Sequence, residues 1–403
     1  MSLPLSKSAG TVLIGVLYLA AALGAACSKE FRDDIVRSCR QPLTAALALF
    51  CAVAYVGILY TAKPSDGLDV ANKFPSLPAI YFIVALLLQS ERSEEARARK
   101  AERVLFSFLA GLTALNLIGV LTFLGVVGDA KDALPLSPLG MHHIWFSNVN
   151  ALGLYTAISF LLFSRSGQTA RARAILGGFV LLSALCILLS TSRAAWFGIA
   201  STALIMAAVL IKSTRTILLV VLFSILTSAL AYRFVPIVHD RVRLIVEDVA
   251  LYSADKRAES STGDRLLLWK ASLLMFESQP LIGVGTGDFH RTMIKYRIAR
   301  VMPRRLLRFN QPHNMYLFSL ATNGIAGLAA LLYIFYRIVR SAAPLVRSDG
   351  GARLFAFLAM ATAVHFMVAG LVDSFFNIQI LRFSFAFIMG VCIRGSMNSA
   401  DRA

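Results

Sequence analysis

Three side chains far apart in the sequence have the types needed to hold a diphosphate and to remove a proton: Arg193, Arg265 and His313. An arginine binds phosphate oxygens through its planar fork of N–H donors, and it neutralises the charge of a departing diphosphate. A neutral imidazole, whose ordinary pKa is about 6.5, can accept the proton of an incoming hydroxyl group. If the three side chains share one pocket, they can catalyse a substitution in which a hydroxyl group attacks and a diphosphate leaves.

Two of these residues lie at the ends of apolar segments. Arg193 stands in LLSTSRAAWFG between two apolar blocks, so we expect it at the membrane face, where an arginine usually marks a ligand or partner. The alternatives are an arginine that reaches the lipid headgroups or an ion pair with Asp373. His313 follows Pro312 at the start of a long apolar run. Its alternative is an interfacial histidine with an ordinary hydrogen-bonding role.

Arg265 belongs to a predicted helix over 261–276, which opens with the capping candidates Thr262 and Asp264. As its first or second residue, Arg265 would add its charge to the free N–H groups of the helix N-terminus, which makes an anion site. The alternative is an ion pair with Asp264 or Asp288. We expect the apolar face of this helix to lie on the bilayer surface or against the bundle.

The elements that must position these residues are membrane-spanning helices. Of 403 residues, 57% are hydrophobic and 15% are charged, and the mean hydropathy is +0.70. Apolar blocks of about 18–25 residues are long enough to cross a bilayer. Such blocks lie near 9–27, 42–61, 76–90, 104–128, 145–163, 174–190, 194–211, 216–232, 314–336, 354–372 and 377–393, of which 76–90 is short. The sequence therefore predicts an all-α polytopic membrane protein with 11–12 transmembrane helices and one long helical loop.

The charge pattern predicts which connections share a side. The short connections 28–41, 91–103, 164–173, 212–215, 337–353 and the C-terminal tail hold 20 Lys and Arg, whereas 62–75, 129–144, 191–193 and 373–376 hold four. The positive-inside rule makes the first set cytoplasmic. We expect an N-terminal bundle over 1–232, a loop on the opposite, periplasmic face over 233–313, and C-terminal helices with a cytoplasmic tail over 314–403.

The long loop is basic, with 14 Lys and Arg against 8 Asp and Glu. This balance favours contact with anionic lipid headgroups of the bilayer or an anionic ligand. Nucleic acid is not expected as a partner, because the loop faces away from the cytoplasm. Within the loop, GVGTG (283–287) resembles a phosphate loop but lacks a preceding strand and a Walker lysine, so we expect a tight turn. The stretch 291–311 predicts an interfacial amphipathic helix.

No metal or cofactor is expected. The five cysteines have no CxxC spacing, and His142-His143 has no carboxylate cluster beside it. We therefore expect activity to persist in EDTA.

Three runs in this order, STSRAAWFG, GDRLLLWKASLLMFESQPLIGVGTGDF and HNMYLFSLATNGIAGL, resemble the O-antigen ligase and polymerase superfamily over roughly 145–395. The resemblance implies a metal-independent, inverting glycosyltransferase of the bacterial inner membrane with a periplasmic active site. It implies undecaprenyl-diphosphate-linked O-antigen as donor and lipid A–core as acceptor. It also implies that Arg193 and Arg265 are the family's essential arginines and that His313 is its essential histidine. Asp373, at an outer helix end, is a supporting candidate together with Ser192 and Asn314.

Two other members of the superfamily would carry similar motifs. A polymerase joins one undecaprenyl-linked glycan to another, and a protein O-oligosaccharyltransferase modifies serine or threonine. A lipid-linked glycan transporter or flippase is a different class, and it would place charged or helix-breaking residues at mid-membrane depth in paired segments. In this sequence the polar residues gather towards one face of the membrane.

Overall fold

The computed structural model describes residues 28–396 apart from 40, 90–92, 128–133, 165, 212, 237–238, 241, 244–260 and 349, together with the isolated positions 15, 19, 24 and 26. This part of the chain is helical and contains no strand. Its α-helices are α1 (Lys29–Cys39), α2 (Pro42–Val56), α3 (Pro64–Ala71), α4 (Ser76–Gln89), α5 (Glu94–Phe123), α6 (His143–Phe163), α7 (Ala170–Leu189), α8 (Arg193–Leu210), α9 (Thr214–Phe234), α10 (Ser261–Ser278), α11 (Phe289–Ile298), α12 (Met315–Val346), α13 (Ala352–Ala369) and α14 (Gln379–Ser396). Short 3₁₀ turns occupy Pro138–Gly140, Ser166–Gln168, Arg304–Arg308 and Phe375–Asn377.

The fold is that of a multi-pass membrane protein, as predicted. Among the described residues, seven helical stretches are long and apolar enough to cross a bilayer: Pro64–Leu88, Glu94–Phe123, His143–Phe163, Ala170–Leu189, Arg193–Leu210, Met315–Val346 and Ala352–Ala369. Two shorter apolar helices cover Leu43–Val56 and Gln379–Cys392. Every predicted block from 42–61 onward coincides at least in part with a helix, whereas the block 9–27 lies outside the described residues except for isolated positions.

Some predicted connections are helical. Helix α5 starts at Glu94, inside the basic connection 91–103, because the Ser93 side chain accepts a hydrogen bond from the N–H of Ala96. Glu94 and Glu95 then place negative charge in the first turn, where the helix dipole favours it. Helix α3 likewise occupies most of the connection 62–75. The apolar blocks marked the apolar part of α5 but not its polar N-terminal end, and they did not mark α3.

The C-terminal helices pack around an aromatic core. The rings of Phe366 and Phe375 lie edge to face with centroids 5.0 Å apart, and Phe385 lies 4.7 Å from Phe366 and 5.1 Å from Phe376. All four side chains are buried. This core fixes the connection between α13 and α14, which carries Asp373.

Helix α10 packs against the helical bundle. Leu268, Ser272 and Met275, which are spaced to lie on one face of α10, are fully buried, and Leu268 and Met275 pack in a cluster with Phe318 of α12. The predicted helix over 291–311 is wrong in extent. Helix α11 ends at Ile298 because Arg300 adopts φ of 59° and Pro303 begins a separate 3₁₀ turn.

Helix α12 is interrupted at Gly324, which has φ of 61° and ψ of −156°. The segment 280–285 fills the break. The N–H groups of Val284 and Gly285 donate to the carbonyls of Ala321 and Thr322 at 2.9 and 3.0 Å, respectively. In return, the N–H of Ile325 donates to the carbonyl of Pro280 at 2.9 Å. The GVGTG run is therefore a turn, as predicted, and its left-handed glycines let it satisfy the backbone groups that the break exposes.

Candidate active site

A cavity of about 640 Å³ opens where several helices begin, and Arg193, Arg265 and His313 all line it. Its wall comes from the 129–144 connection with the start of α6, the start of α8, the start of α10 and the segment before α12. These are connections that the charge pattern assigns to a single face of the membrane. Arg265 and His313, which follow Arg193 by 72 and 120 positions in the chain, therefore lie in one site with it.

Arg193 is the first residue of α8 and lies next to a capped helix N-terminus. The hydroxyl of Ser192 accepts a hydrogen bond from the N–H of Ala195 at 3.4 Å, and Thr191 adopts a left-handed φ of 51°. Thr191 and Ser192 line the cavity beside Arg193. A helix N-terminus and a guanidinium thus act on the same space, and both favour an anion there.

Arg265 is the fifth residue of α10, not the first or second as predicted, because the helix starts at Ser261. The arginine beside a helix N-terminus is Arg193 instead. Burial lowers the pKa of Arg265, and the negative charge of Asp373 opposes that shift. Arg265 forms no ion pair with Asp264 or Asp288, whose partners are other arginines. Its guanidinium is thus a partly buried cation on the cavity wall.

Asp264 joins α10 to the 3₁₀ turn at Arg304–Arg308. Its buried carboxylate accepts hydrogen bonds from Nε of Arg305 at 2.8 Å and from Nη2 of Arg308 at 2.7 Å. Both arginines line the cavity. The sequence interpretation did not single them out, because it placed the run PRRLLR in a continuous interfacial helix.

His313 is held by the backbone on both sides and by Asp373. Its Nδ1 lies 3.2 Å from Oδ1 of Asp373, which is 3% exposed. Trp269 Nε1 donates to the carbonyl of Pro312 at 3.1 Å, and the N–H of Met315 donates to the carbonyl of Gly370 at 2.8 Å. His313 itself has φ of 52°, a strained value for a side chain with a Cβ, and such strain clusters at functional sites.

The contact with Asp373 sets the imidazole tautomer. A carboxylate only accepts hydrogen bonds, so Nδ1 carries the proton and the neutral ring keeps its lone pair on Nε2. Asn314 supports the same geometry. Its Oδ1 caps α12 by accepting from the N–H groups of Tyr316 and Leu317, and its Nδ2 donates to the carbonyl of Leu371. With its side chain used in this way, Asn314 positions its neighbour His313.

His142 and His143 also line the cavity, and their rings stack with centroids 4.4 Å apart. Nδ1 of His142 accepts from the N–H of Ile144, which requires the unprotonated nitrogen. Burial lowers the pKa of His142; Asp373 opposes this shift and His313 adds to it. The residues that the structure describes contain no group of three or more His, Cys, Asp or Glu side chains that could hold a metal ion.

The cavity is therefore strongly cationic. Among its described lining residues, Asp264 carries the acidic group. Four arginines also line it: Arg193, Arg265, Arg305 and Arg308. Fixed guanidinium groups bind phosphate oxygens well and can stabilise negative charge on a leaving diphosphate. An imidazole with a free Nε2 beside them supplies a base. The arrangement suits a substitution that expels a diphosphate.

The fold and cavity define a multi-pass membrane protein with a cationic site at one face. A protein-family model, Wzy_C, described as O-antigen ligase, matches residues 178–332. That segment contains Arg193, Arg265 and His313 and ends before Asp373. An uncharacterized protein of Haemophilus influenzae is 25% identical over 167 residues, which cover 40% of this chain and 42% of that protein. The chain thus spans less than half the length of this relative.

Proposed function

We propose that the protein is an O-antigen ligase that transfers a polysaccharide from undecaprenyl diphosphate to a sugar hydroxyl of lipid A–core. The observation that carries this proposal is the convergence of two arginines and one histidine, Arg193, Arg265 and His313, on one cationic cavity. The match to the O-antigen ligase family model over the segment that contains all three residues supports the same chemistry.

Arg193 and Arg265 bind the diphosphate of the donor. The N-terminus of α8 adds backbone N–H groups beside Arg193, so the phosphate oxygens meet both a charge and hydrogen-bond donors. Arg265, whose burial reduces competition from water, is worth more to a developing anion than an exposed arginine would be. As the bond to the sugar breaks, these groups take up the negative charge of the leaving undecaprenyl diphosphate.

His313 acts as the general base. Nε2 removes the proton of the acceptor hydroxyl while the oxygen attacks the anomeric carbon from the side opposite the diphosphate. One C–O bond forms as the C–O bond to the diphosphate breaks, so the configuration at the anomeric carbon inverts. Asp373 holds the ring in the required tautomer and stabilises the imidazolium that forms.

The cavity faces the periplasm of the bacterial inner membrane in this proposal. The basic short connections lie on the cytoplasmic side by the positive-inside rule, and the cavity is built from connections of the other set. The lipid tail of the donor lies between apolar helices, and the acceptor approaches from the outer leaflet. No metal takes part, because the four arginines supply the positive charge that the diphosphate needs.

The nearest alternative is a polymerase, which has the same donor chemistry but takes a second lipid-linked glycan as acceptor. The test incubates purified protein with undecaprenyl-diphosphate glycan and either lipid A–core or no second acceptor, and resolves the products on a gel. We expect a product only when lipid A–core is present. Longer lipid-linked glycan in its absence would instead identify a polymerase.

The base assignment is tested in the same assay with His313→Ala. General-base catalysis contributes about 10²–10⁴-fold, so turnover should fall by that factor while donor binding, measured separately, stays close to wild type. Wild-type turnover in this variant would rule out His313 as the base.

A further inference from the structure

A second cavity, of about 370 Å³, is lined in part by residues that directly follow or precede lining residues of the first in the chain. Phe309 and His313 line the first cavity, whereas Asn310 and Gln311, between them in the chain, line the second. At the start of α6, His142 to Ile144 belong to the first cavity and Trp145 to the second. A ligand in the second cavity would thus lie directly behind the segment that carries the imidazole.

The lining of this cavity is polar, basic and partly aromatic. Its cationic and ionisable side chains are Lys73, His290 and Arg382, and no aspartate or glutamate occurs among the described residues that line it. Four side-chain amides join them: Asn310, Gln311, Asn377, Gln379. An amide both donates and accepts hydrogen bonds, as a sugar hydroxyl does, so several amides around one space match a polyhydroxylated ligand.

Arg382 is a buried cation in the lining of the second cavity. It is 4% exposed, yet no carboxylate among the described residues forms an ion pair with it. Nε donates to Oγ of Ser76 at 2.7 Å, and Nη1 donates to the carbonyl of Phe376 at 2.6 Å. These neutral partners fix the guanidinium plane but leave its charge uncompensated. A buried cation without an anion is costly, and inside a membrane protein such a residue usually marks a binding site.

Lys73 brings a second positive charge to the same space. It lies in the turn between α3 and α4, whereas Arg382 lies in the first turn of α14. Two cations that line one cavity repel each other, and the carboxylate of Asp69, which attracts Lys73, is not part of the lining. The hydrogen bonds of Arg382 explain how its side chain is held, but they do not explain why a lysine lines the same cavity.

We propose that this second cavity binds an anionic sugar of the acceptor, that is, a saccharide unit carrying phosphate. Arg382 and Lys73 bind the anionic substituent, the amides bind neighbouring hydroxyls, and the ring of Trp145 covers an apolar sugar face. The acceptor is thereby anchored behind the segment 309–313, so that a further hydroxyl of the same oligosaccharide can reach His313 in the first cavity. This inference rests on the glycosyl transfer proposed above and names the acceptor chemistry that the enzyme selects.

The test compares two forms of one acceptor, lipid A–core oligosaccharide with its phosphates and the same material after dephosphorylation. Loss of a charge-assisted contact weakens binding by about tenfold, so wild-type protein should show an apparent KM about tenfold lower for the phosphorylated form. Lys73→Gln should bring the two KM values to within about twofold of each other. Lys295→Gln, a matched change at an exposed lysine of α11 that lines neither cavity, should keep the wild-type preference.

Binding of the two oligosaccharides to the purified protein, measured by calorimetry without donor, separates this inference from the proposed reaction. A preference for the phosphorylated form that Lys73→Gln removes supports the second cavity even if no transfer is observed. Transfer with equal affinity for both forms in the wild type overturns the inference and leaves the ligase proposal intact. A Lys73→Gln effect on the KM of the donor alone would also overturn it, because the anionic sugar would then belong to the donor. Arg382→Gln is a second variant, and a folded Arg382→Gln protein that keeps the preference would count against the inference.

Discussion

Asp373 and His313, 60 positions apart in the chain, form a carboxylate–imidazole pair with Oδ1 and Nδ1 3.2 Å apart. The same carboxylate accepts the N–H of Ser374 at 2.8 Å and opposes the lowering of the pKa of Arg265 and of His142. One buried acid therefore orients the imidazole of His313 and also acts on the charge of Arg265 and His142. Its position next to the aromatic core keeps this arrangement rigid.

The first prediction concerns this pair. If Asp373 acts through His313, Asp373→Asn should lower kcat by at least about tenfold in the wild-type background and by less than about threefold in a His313→Ala background. The measurement is kcat for the four proteins of the double-mutant cycle. Asp66→Asn, at an exposed carboxylate paired with Lys63, is the control and should leave kcat unchanged. Additive losses would show that Asp373 acts independently of the imidazole.

The second prediction concerns the pH dependence of Arg265→Lys. Burial lowers the pKa of a cation, because it disfavours the charged form. A lysine has an ordinary pKa of about 10.4, well below that of arginine, so at this site it should lose its proton as the pH rises above neutrality. The activity of Arg265→Lys relative to wild type should therefore fall as the pH is raised from about 7 to about 9.5.

The control for this experiment is Arg297→Lys, at an exposed position of α11, whose activity relative to wild type should not change with pH. Arg265→Lys should also remain below wild type at neutral pH, because an ammonium lacks the planar fork of donors. Full activity of Arg265→Lys across the whole pH range would mean that the site needs neither the fork nor a permanently charged group.

The third prediction concerns the carboxylate that joins α10 to the 3₁₀ turn. Asp264→Asn leaves Arg305 and Arg308 without their acidic partner, and we expect it to reduce the free energy of unfolding by about 1–3 kcal/mol. Arg308→Ala should cost less than about 1 kcal/mol, because the side chain of Arg308 is 64% exposed and water screens its ion pair. Thermal unfolding in detergent measures both changes. A larger loss for Arg308→Ala than for Asp264→Asn would contradict this ranking.

The fourth prediction concerns the break in α12. A Cβ on Gly324 would lie 2.4 Å from the carbonyl carbon of Leu281, and φ of +61° is itself strained for alanine. Gly324→Ala should therefore lower the unfolding temperature and reduce the free energy of unfolding by more than about 1 kcal/mol. Gly177→Ala, in the middle of α7 with open space around its Cα, is the matched control and should be neutral or stabilising.

Hydropathy in the sequence was enough to predict the helical membrane fold, and the motifs singled out Arg193, Arg265 and His313, which line one cavity. Hydropathy did not locate polar helix ends, because caps such as Ser93 lie outside the apolar blocks. The contacts of Asp264 with Arg305 and Arg308 could not be predicted, since they depend on the break of the chain at Arg300. The second cavity depends on a contact between Ser76 and Arg382, 306 positions apart, for which no local pattern exists.

The interruption at Gly324 divides α12 into two rods that need not tilt together. The longer rod, 325–346, lies among the membrane-spanning helices and must adjust to the thickness of the lipid around it. The shorter rod, 315–323, is tied to the α13–α14 connection and to α10 instead. We therefore expect the imidazole ahead of it to keep its distance from the arginines in thick and thin bilayers alike.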